Sequence, residues 1–420
     1  MDIPRIPRNK YGAGVIKNMT DIISISHFFY PRVGGLEKMA YLVLKHLSEK
    51  GYSCISIFSN KANSTYRSEG FLWKSFSTYN LMGGTYPVFG LRFAFYVFRI
   101  IRKNPNAAIL IYDRHLSSSV LASIICRILR RDYILVSQTT YSGYFKNRIF
   151  SWIAEALDRV VFSSVVKNAK TVVCVSASNR NYMLNKFYKT QSNTFKKDVL
   201  EKFKVIFNTY NNSVKKHTPA IKREKIAVFA SKLIEVKDPD TTAIAFLSLA
   251  KEFPEWKFVF IGEGKTILNE IEELPANLEY IPRLLDQASL HELLSRSAIY
   301  VNSSIQEGLS LGVIEAAILG NELVLSDAPS NLEILELARA KNNSFSRTDF
   351  MSLSNKLSEK IRELESVNMI KEDTWRDEFL ELCSQEEVLA SYEHIIKAAL
   401  ANKQFRNRLN LRKQSLNYEE

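Results

Sequence analysis

The sequence has little cysteine and no closely spaced cysteine pair, which excludes two kinds of stabilised fold. Its four cysteines, Cys54, Cys126, Cys174 and Cys383, lie far apart and mostly inside apolar runs. No two of them have the Cys-x-x-Cys spacing that zinc sites and redox centres use. We therefore expect neither a zinc site nor a disulfide framework, and we interpret the cysteines as buried thiols in a reducing compartment.

Long apolar runs and an apolar leader are also missing. The sequence has no run of about 18 apolar residues, so no segment is predicted to span a bilayer. Residues 1–20 are polar and basic, unlike the apolar core of a secretory signal. From these two observations we expect a cytoplasmic location.

Charge is distributed unevenly along the 420 residues. The net charge is +13, with +22 in residues 1–220 and −9 in the remainder. A basic half joined to an acidic half indicates an anionic partner for the first half only. Nucleic acid and an anionic membrane surface are the usual candidates, and a solvated basic surface without a dedicated partner is the alternative.

Short apolar segments alternate with amphipathic helical patterns, which is typical of a parallel sheet covered on both faces. Five such segments precede a polar, lysine-rich connection at residues 208–225, and five follow it. They are Asp21–Ser26, Ser53–Phe58, Ala108–Tyr112, Tyr133–Ser137, Thr171–Ser176, Ile226–Ala230, Lys257–Ile261, Leu278–Ile281, Ile299–Asn302 and Leu323–Ser326. The sequence therefore predicts an α/β protein of two doubly wound units, with a ligand in the crevice beyond the carboxyl ends of the strands.

The segment Tyr300–Asp327 carries the strongest functional signal. A strand is predicted to end near Asn302, and after a turn a helix is predicted to open near Leu309. The backbone N–H groups around Leu309, Ser310 and Leu311 would then face the crevice. A helix start of this kind can hold a diphosphate through its backbone donors and its dipole.

Two glutamates, Glu307 and Glu315, flank this predicted helix start, and Gly308 lies in the turn. Eight helical steps of 1.5 Å would separate them by about 12 Å, roughly the length of an extended nucleotide sugar. A carboxylate at each end can accept two sugar hydroxyl groups. A glutamate pair alone is more often a solvated helix face, but the preceding strand, the glycine turn and the apolar continuation strengthen the signal.

This segment resembles the glutamate-pair motif of glycosyltransferase family 4, which comprises retaining transferases of the GT-B fold. The similarity extends from Ser24 to about Ile396. It implies two Rossmann-like domains that face each other across a deep cleft. Residues 1–210 would bind the acceptor and residues 211–387 the nucleotide-sugar donor, while a helix at about 388–420 packs back on the first domain.

The resemblance also implies the chemistry. Glu307 would contact the transferred sugar and support its developing positive charge, and Glu315 would bind the ribose hydroxyl groups. A hexose would pass from a UDP- or GDP-linked sugar to a glycan or lipid-linked acceptor, with retention of anomeric configuration and without a cofactor or a divalent metal. The products expected are surface polysaccharide, lipopolysaccharide or glycoconjugates. Asp238-Pro239-Asp240 is accordingly interpreted as a helix cap and not as a metal site.

Two further motifs in the second half are similar to donor-binding motifs of the family. Ala230–Lys237 (ASKLIEVK) follows a predicted strand, and its Lys232 and Lys237 would neutralise the donor diphosphate. Ile281–Arg283 resembles the strand end whose backbone meets the nucleotide base, which assigns Arg283 to donor binding.

In the first half, Pro31–Glu37 (PRVGGLE) resembles the glycine loop of the family. Gly34 and Gly35 would let backbone N–H groups approach the reaction centre or an acceptor phosphate. Glu37 has two equal interpretations, a site residue or a first-turn carboxylate that stabilises the helix dipole.

The sequence departs from the family pattern at positions that matter for catalysis. Gln138 stands where members carry a histidine, and glutamine can hydrogen-bond a sugar hydroxyl but cannot act as a base. His115, after the preceding strand, could substitute for it or could be a structural histidine. Because of Gln138 and of Lys232, which replaces an arginine, a non-catalytic nucleotide-sugar or carbohydrate-binding relative remains the alternative. An oxidoreductase is disfavoured, since no Gly-x-Gly-x-x-Gly follows the first strand.

The segment Tyr86–Lys103 combines aromatic and aliphatic residues with four basic ones. Two interpretations are open: a helix lying in a membrane interface, or a buried helix with charges at its rim. Together with the basic first half, the segment favours peripheral attachment to the inner face of the cell membrane. Nucleic acid is not expected as a partner, because it would leave the acidic half and its glutamate pair unexplained.

Overall fold

The computed structural model describes residues 19–30, 35–60, 62–81, 86–139, 152, 155–188, 196–210, 212–217, 222–368 and 376–416. Side chains are described for these residues apart from 80–81, 86–87 and 402–416.

The first half of the chain forms an eight-stranded sheet and a separate hairpin. Its strands are β1 (Ile22–Ile25), β2 (Cys54–Ser59), β3 (Ser64–Ser68), β4 (Phe71–Phe76), β5 (Thr78–Leu81), β6 (Tyr86–Phe89), β7 (Ala108–Tyr112), β8 (Ile134–Ser137), β9 (Thr171–Cys174) and β10 (Phe203–Val205). The sheet order is β10-β9-β8-β7-β1-β2-β4-β3, in which β3 alone runs antiparallel to its neighbour, and β5 pairs with β6.

The second half forms a six-stranded sheet whose neighbouring strands are all parallel. Its strands are β11 (Glu224–Ala230), β12 (Lys257–Ile261), β13 (Leu278–Ile281), β14 (Ser297–Asn302), β15 (Glu322–Ser326) and β16 (Ser344–Phe345). Their order is β13-β12-β11-β14-β15-β16. In both sheets the winding direction reverses beside the first strand, which places a ligand crevice at the carboxyl ends of β1 and β7 and of β11 and β14.

Helices cover both sheets. They are α1 (Gly35–Glu49), α2 (Leu91–Lys103), α3 (Ser117–Ile128), α4 (Ser163–Asn168), α5 (Ala177–Tyr188), α6 (Lys197–Lys202), α7 (Pro239–Glu252), α8 (Gln287–Arg296), α9 (Leu311–Ile318), α10 (Pro329–Leu337), α11 (Phe350–Ser366), α12 (Arg376–Leu382) and α13 (Gln385–Leu416). A π-helical turn, Asp158–Phe162, precedes α4, and short 3-10 helices lie at Asn212–Lys216, Glu235–Lys237, Ile267–Glu270 and Lys341–Asn343. None of the helices in the described part of the chain combines the length and apolar character that crossing a membrane requires.

All ten predicted strands are present. Most of their side chains are buried, as the apolar runs indicated, although Glu279 of β13 is exposed. Six further strands, β3, β4, β5, β6, β10 and β16, lie outside the predicted set. They are short or lie toward the sheet edges, where the apolar signal is weak. The four cysteines are buried, and none of them belongs to a disulfide bond.

Two predicted helices differ in extent. Tyr86–Lys103 is not one helix, because Tyr86–Phe89 pairs with β5 and the helix begins only at Leu91, after Gly90. The helix predicted to open at Leu309 begins at Leu311, with Ser310 as an extended residue before it.

The last helix returns to the first half of the chain. Val388, Leu389, Tyr392 and Ile396 of α13 are buried in one apolar cluster with Met39 and other residues of α1 and of the first sheet. In contrast, Phe379 and Cys383 pack in a core of the second sheet.

Candidate functional site

Glu307 lies in the loop between β14 and α9 and is bound on two sides. Its carboxylate pairs with the ammonium group of Lys237 and accepts a 2.6 Å hydrogen bond from Ser304 Oγ. Burial alone would raise the pKa of Glu307, but the charge of Lys237 and these hydrogen bonds outweigh burial and lower the pKa. The structure therefore keeps Glu307 as a carboxylate beside a cation.

The loop that carries Glu307 is hydrogen-bonded to the neighbouring 3-10 turn Glu235–Lys237. The N–H group of Ile305 donates to the carbonyl of Val236 at 2.9 Å, and the N–H group of Ser304 donates to Asn302 Oδ1 at 3.1 Å. The bond to Val236 joins the loop to the 3-10 turn Glu235–Lys237, in which Lys237 lies beside Glu307.

Glu315 lies one turn inside α9 and contacts a buried histidine. The Oε2 atom of Glu315 is 3.1 Å from His291 Nε2, and His291 Nδ1 is 3.1 Å from Ser213 Oγ. His291 is fully buried on α8, and Ser213 lies in the connection between the two sheets. These two contacts fix the orientation of Glu315 from within the second half.

The two halves touch at Gly308. A β-carbon added to Gly308 would lie 1.9 Å from the carbonyl oxygen of Gln138, so only glycine fits there. Ser176 Oγ also donates to the carbonyl of Gly308 at 2.8 Å. Gln138 and Gly308 are therefore in contact, but the contact is made by their backbones and not by the side chain of Gln138.

The side chain of Gln138 points to the connection between the halves, where its Oε1 accepts a 2.9 Å hydrogen bond from Asn208 Nδ2. Its backbone N–H donates to Asp113 Oδ1 at 2.8 Å. Burial raises the pKa of Asp113 to about 6, although the N–H groups of Gln138 and Thr139 and the charge of Arg114 oppose this rise. Asp113 thus orients the peptide that touches Gly308.

The start of α9 is covered by the first half. Leu309 and Ser310 are 7% and 8% exposed, and a β-carbon on Gly35 would lie 3.5 Å from Leu311 Cδ1. The backbone proposed to hold a diphosphate therefore lies in a narrow gap between the openings of α1 and α9. A ligand of that size would enter only if the halves separate.

His115 is partly buried in the first half, next to a buried ionic cluster. The neighbouring Arg114 donates to both carboxylate oxygens of Asp158, at 3.0 and 3.2 Å, and Lys186 lies 2.7 Å from Asp158 Oδ2. Burial lowers the pKa of His115 to about 3, and the charge of Arg114 contributes to this decrease. His115 is therefore neutral at physiological pH.

The other predicted residues lie just after strands or at the start of a helix. Lys232 and Arg283 are exposed beyond the ends of β11 and β13, and Glu37 is buried in the first turn of α1. Gly34 lies outside the described residues. Asp238 precedes α7 as predicted, although its carboxylate accepts from Thr241 Oγ1 at 2.7 Å instead of from a backbone N–H.

A carboxylate from the second half caps a helix of the first half. The two carboxylate oxygens of Glu333 accept the N–H groups of Ala177 and Ser178 at 2.8 and 2.7 Å. A cavity of about 560 Å³ adjoins this contact and reaches Gln306 and Glu307. Glu333 thus links the two halves and places a negative charge at the start of α5, where the helix dipole favours it.

Three residues in and around the crevice were not predicted from the sequence: Lys38, His291 and Glu333. Lys38 could have been noticed because it follows Gly35 by three residues and so lies on the same helix face. No local pattern marks His291 or Glu333, since their partners are 24 and about 155 residues away.

The sequence is similar to a known protein family and to a human protein. Residues 211–374 match the family model of Glycosyl transferases group 1. The chain is 24% identical over 332 residues to a subunit of the phosphatidylinositol N-acetylglucosaminyltransferase of Homo sapiens, and the match covers 75% of this chain. It spans 63% of that human protein, less than two thirds of its length.

Solved structures cover nearly the whole chain. A sucrose-phosphate synthase from Thermosynechococcus elongatus has a TM-score of 0.65 at 13% identity and covers 91% of this chain and 100% of its own. A structure described as trehalose-6-phosphate from E. coli bound with UDP-2-fluoro glucose has a TM-score of 0.62 at 12% identity, covering 90% and 98%. These similarities confirm the predicted GT-B fold. Residues 211–374 thus form a domain of the glycosyl transferases group 1 type within a chain of the GT-B fold.

Proposed function

We propose that this protein is a retaining glycosyltransferase that moves a hexose from a UDP- or GDP-linked sugar to a glycan or lipid-linked acceptor. The observation that carries the proposal is the ion pair between Glu307 and Lys237 beside Gly308, at the opening of α9. A carboxylate, a cation and a helix start at one point are the groups that a departing diphosphate and a positively charged sugar require.

The proposed reaction breaks the bond between the anomeric carbon and the donor phosphate oxygen. The electron pair leaves with the nucleoside diphosphate, which Lys237, Lys232 and the N–H groups at the start of α9 would stabilise. Glu307, whose pKa is lowered, would stabilise the positive charge on the sugar. The acceptor hydroxyl would then attack the same face, and its proton would pass to the departing phosphate.

This route assigns no base to the protein, which agrees with Gln138 at the position of the expected histidine. It also assigns no divalent metal, because the lysines and the helix start would supply the positive charge. We therefore expect transfer to continue when EDTA is present.

The name of the human relative couples a sugar transfer to phosphatidylinositol, and this supports a lipid-linked acceptor here. The exposed face of α2 adds a second argument. Leu91 and Phe95 are 89% and 68% exposed beside Arg92 and Arg99, while Phe93 and Val97 pack inward. We propose that this face and the basic first half hold the protein on an anionic membrane.

Sedimentation with liposomes tests the membrane proposal. We expect vesicles with anionic lipid to retain the protein, high salt to release it, and Leu91→Glu with Phe95→Glu to weaken retention. Val367→Glu is the matched control, because Val367 is also exposed but lies in the second half. Equal recovery with neutral vesicles would contradict the proposal.

A panel of UDP- and GDP-linked sugars, assayed for nucleotide release with and without candidate lipid acceptors, tests the function itself. We expect one donor to be turned over by the wild type and Glu307→Gln to reduce the rate by at least about 100-fold. Glu359→Gln, a change on the exposed face of α11, should leave the rate unchanged. A wild type that binds nucleotide but turns over no donor would favour the non-catalytic alternative.

A further inference from the structure

Lys38 lies in the first turn of α1, and the start of α1 packs against the start of α9 in the other half of the molecule. Gly35 lies next to Leu311, since a β-carbon on Gly35 would be 3.5 Å from Leu311 Cδ1. Lys38 follows Gly35 by three residues and Glu315 follows Leu311 by four, so each lies one helical turn further along. In agreement with this spacing, the charge of Glu315 acts on Lys38 and works to raise its pKa against the effect of burial.

The ammonium group of Lys38 is buried and, among the residues that the structure describes, has no hydrogen-bond partner. Burial lowers its pKa, and the charge of Glu315 offsets only part of this decrease. Glu315 itself is engaged by His291. A buried cation without a hydrogen-bond acceptor is unfavourable, and it is tolerated where a ligand supplies the missing anion.

The position of Lys38 limits the chemistry of that ligand. Ammonium donates three hydrogen bonds and accepts none, so it prefers an anionic oxygen to a sugar hydroxyl. The N–H groups at the start of α9 add positive potential to the same gap. Both features match a phosphate group.

We infer that Lys38 binds the diphosphate of the sugar donor, an inference that rests on the proposed function. Lys237 and Lys232 would then contact the diphosphate from the second half, and Lys38 from the first. A diphosphate held from both sides would couple donor binding to closure of the two halves.

Titration calorimetry with UDP, GDP and the corresponding nucleosides tests this role without any acceptor. Lys38→Met should weaken binding of the diphosphate by about tenfold and leave the nucleoside within about twofold. Lys38→Arg should restore most of the affinity, because it keeps the positive charge. Lys45→Met is the matched control, since Lys45 lies on the same helix, is partly exposed and pairs with Glu69.

Thermal melting separates binding from a structural role. Lys38→Met should melt at the wild-type temperature or above it, because it removes an unpartnered buried charge. Unchanged diphosphate affinity in Lys38→Met, or an equal loss for diphosphate and nucleoside, would overturn the inference. Unchanged nucleotide binding with a raised KM for a phosphorylated acceptor would also overturn it, in favour of an acceptor contact. If the wild type binds no nucleotide at all, the proposed function fails first.

Discussion

The α-carbon of Gly308 lies against the backbone carbonyl oxygen of Gln138, at a distance that leaves no room for a side chain. This contact joins the loop that carries Glu307 to the end of β8 in the other half. The two halves can approach this closely only because the side chain at position 308 is a single hydrogen atom.

Gly308→Ala should therefore push the halves apart. The added β-carbon would meet the Gln138 oxygen at 1.9 Å, and overpacking of this kind costs roughly 1–3 kcal/mol. We expect a lower melting temperature and a larger radius of gyration in small-angle X-ray scattering. Gly35→Ala is the steric control for stability, because its β-carbon would meet Leu311 at an ordinary 3.5 Å. Wild-type scattering from Gly308→Ala would contradict this prediction.

The cap that Glu333 places on α5 should also control closure. Glu333→Ala removes a charged acceptor from two N–H groups, which we expect to cost about 1 kcal/mol and to increase the radius of gyration. Glu336→Ala, on the same helix α10 but in an exposed pair with Lys341, should change neither quantity. If both variants scatter like the wild type, Glu333 does not hold the halves together.

The contact of His291 with Glu315 should appear as selectivity for ribose. If Glu315 accepts the ribose hydroxyl groups, His291→Ala leaves that carboxylate without its buried partner. The preference for UDP or GDP over the 2′-deoxy nucleotide should then fall by about tenfold. Calorimetry measures both affinities. His46→Ala is the control, because His46 makes a similar 2.9 Å contact with Glu393 on α13. An unchanged preference would remove His291 from the donor site.

Asp113 should make stability depend on pH. Its pKa rises from 3.8 to about 6 on folding, so the folded protein binds the proton more tightly than the unfolded chain. The free energy of unfolding should therefore fall by roughly 3 kcal/mol in total as the pH rises from below the unfolded pKa of 3.8 to well above the folded pKa of about 6. Asp113→Asn stays neutral and should lose this decline, as chemical denaturation at a series of pH values will measure.

The exposed Asp198 provides the control for that experiment. Asp198→Asn should keep the wild-type slope, because its carboxylate lies in the first turn of α6 with its side chain in solvent. Parallel curves for the wild type and Asp113→Asn would show that Asp113 does not carry the effect.

The sequence predicts a strand or helix correctly where its apolar residues follow a single period. β1 and β14 are read correctly because buried parallel strands are apolar on both faces, and the glycines mark turns beside the crevice. β3, at the edge of the sheet, and β4, beside it, are missed because both mix polar with apolar residues.

The site is predictable only as far as its residues are neighbours in the chain. Glu307, Gly308 and Glu315 stand in one segment, so their pattern is visible in the amino-acid sequence by itself. The pairing of Lys237 with Glu307 and the caps by Glu333 arise from tertiary contacts between distant segments. The burial of His115, which keeps it neutral, likewise depends on packing that no local pattern encodes.

A crystal structure with UDP or GDP bound tests the central claim most directly. We predict that the diphosphate lies within hydrogen-bond distance of the backbone N–H groups of Leu309, Ser310 and Leu311, with Glu315 at the ribose and Lys237 turned toward the phosphates. A nucleotide bound at saturating concentration anywhere other than the gap between α1 and α9 would contradict the account.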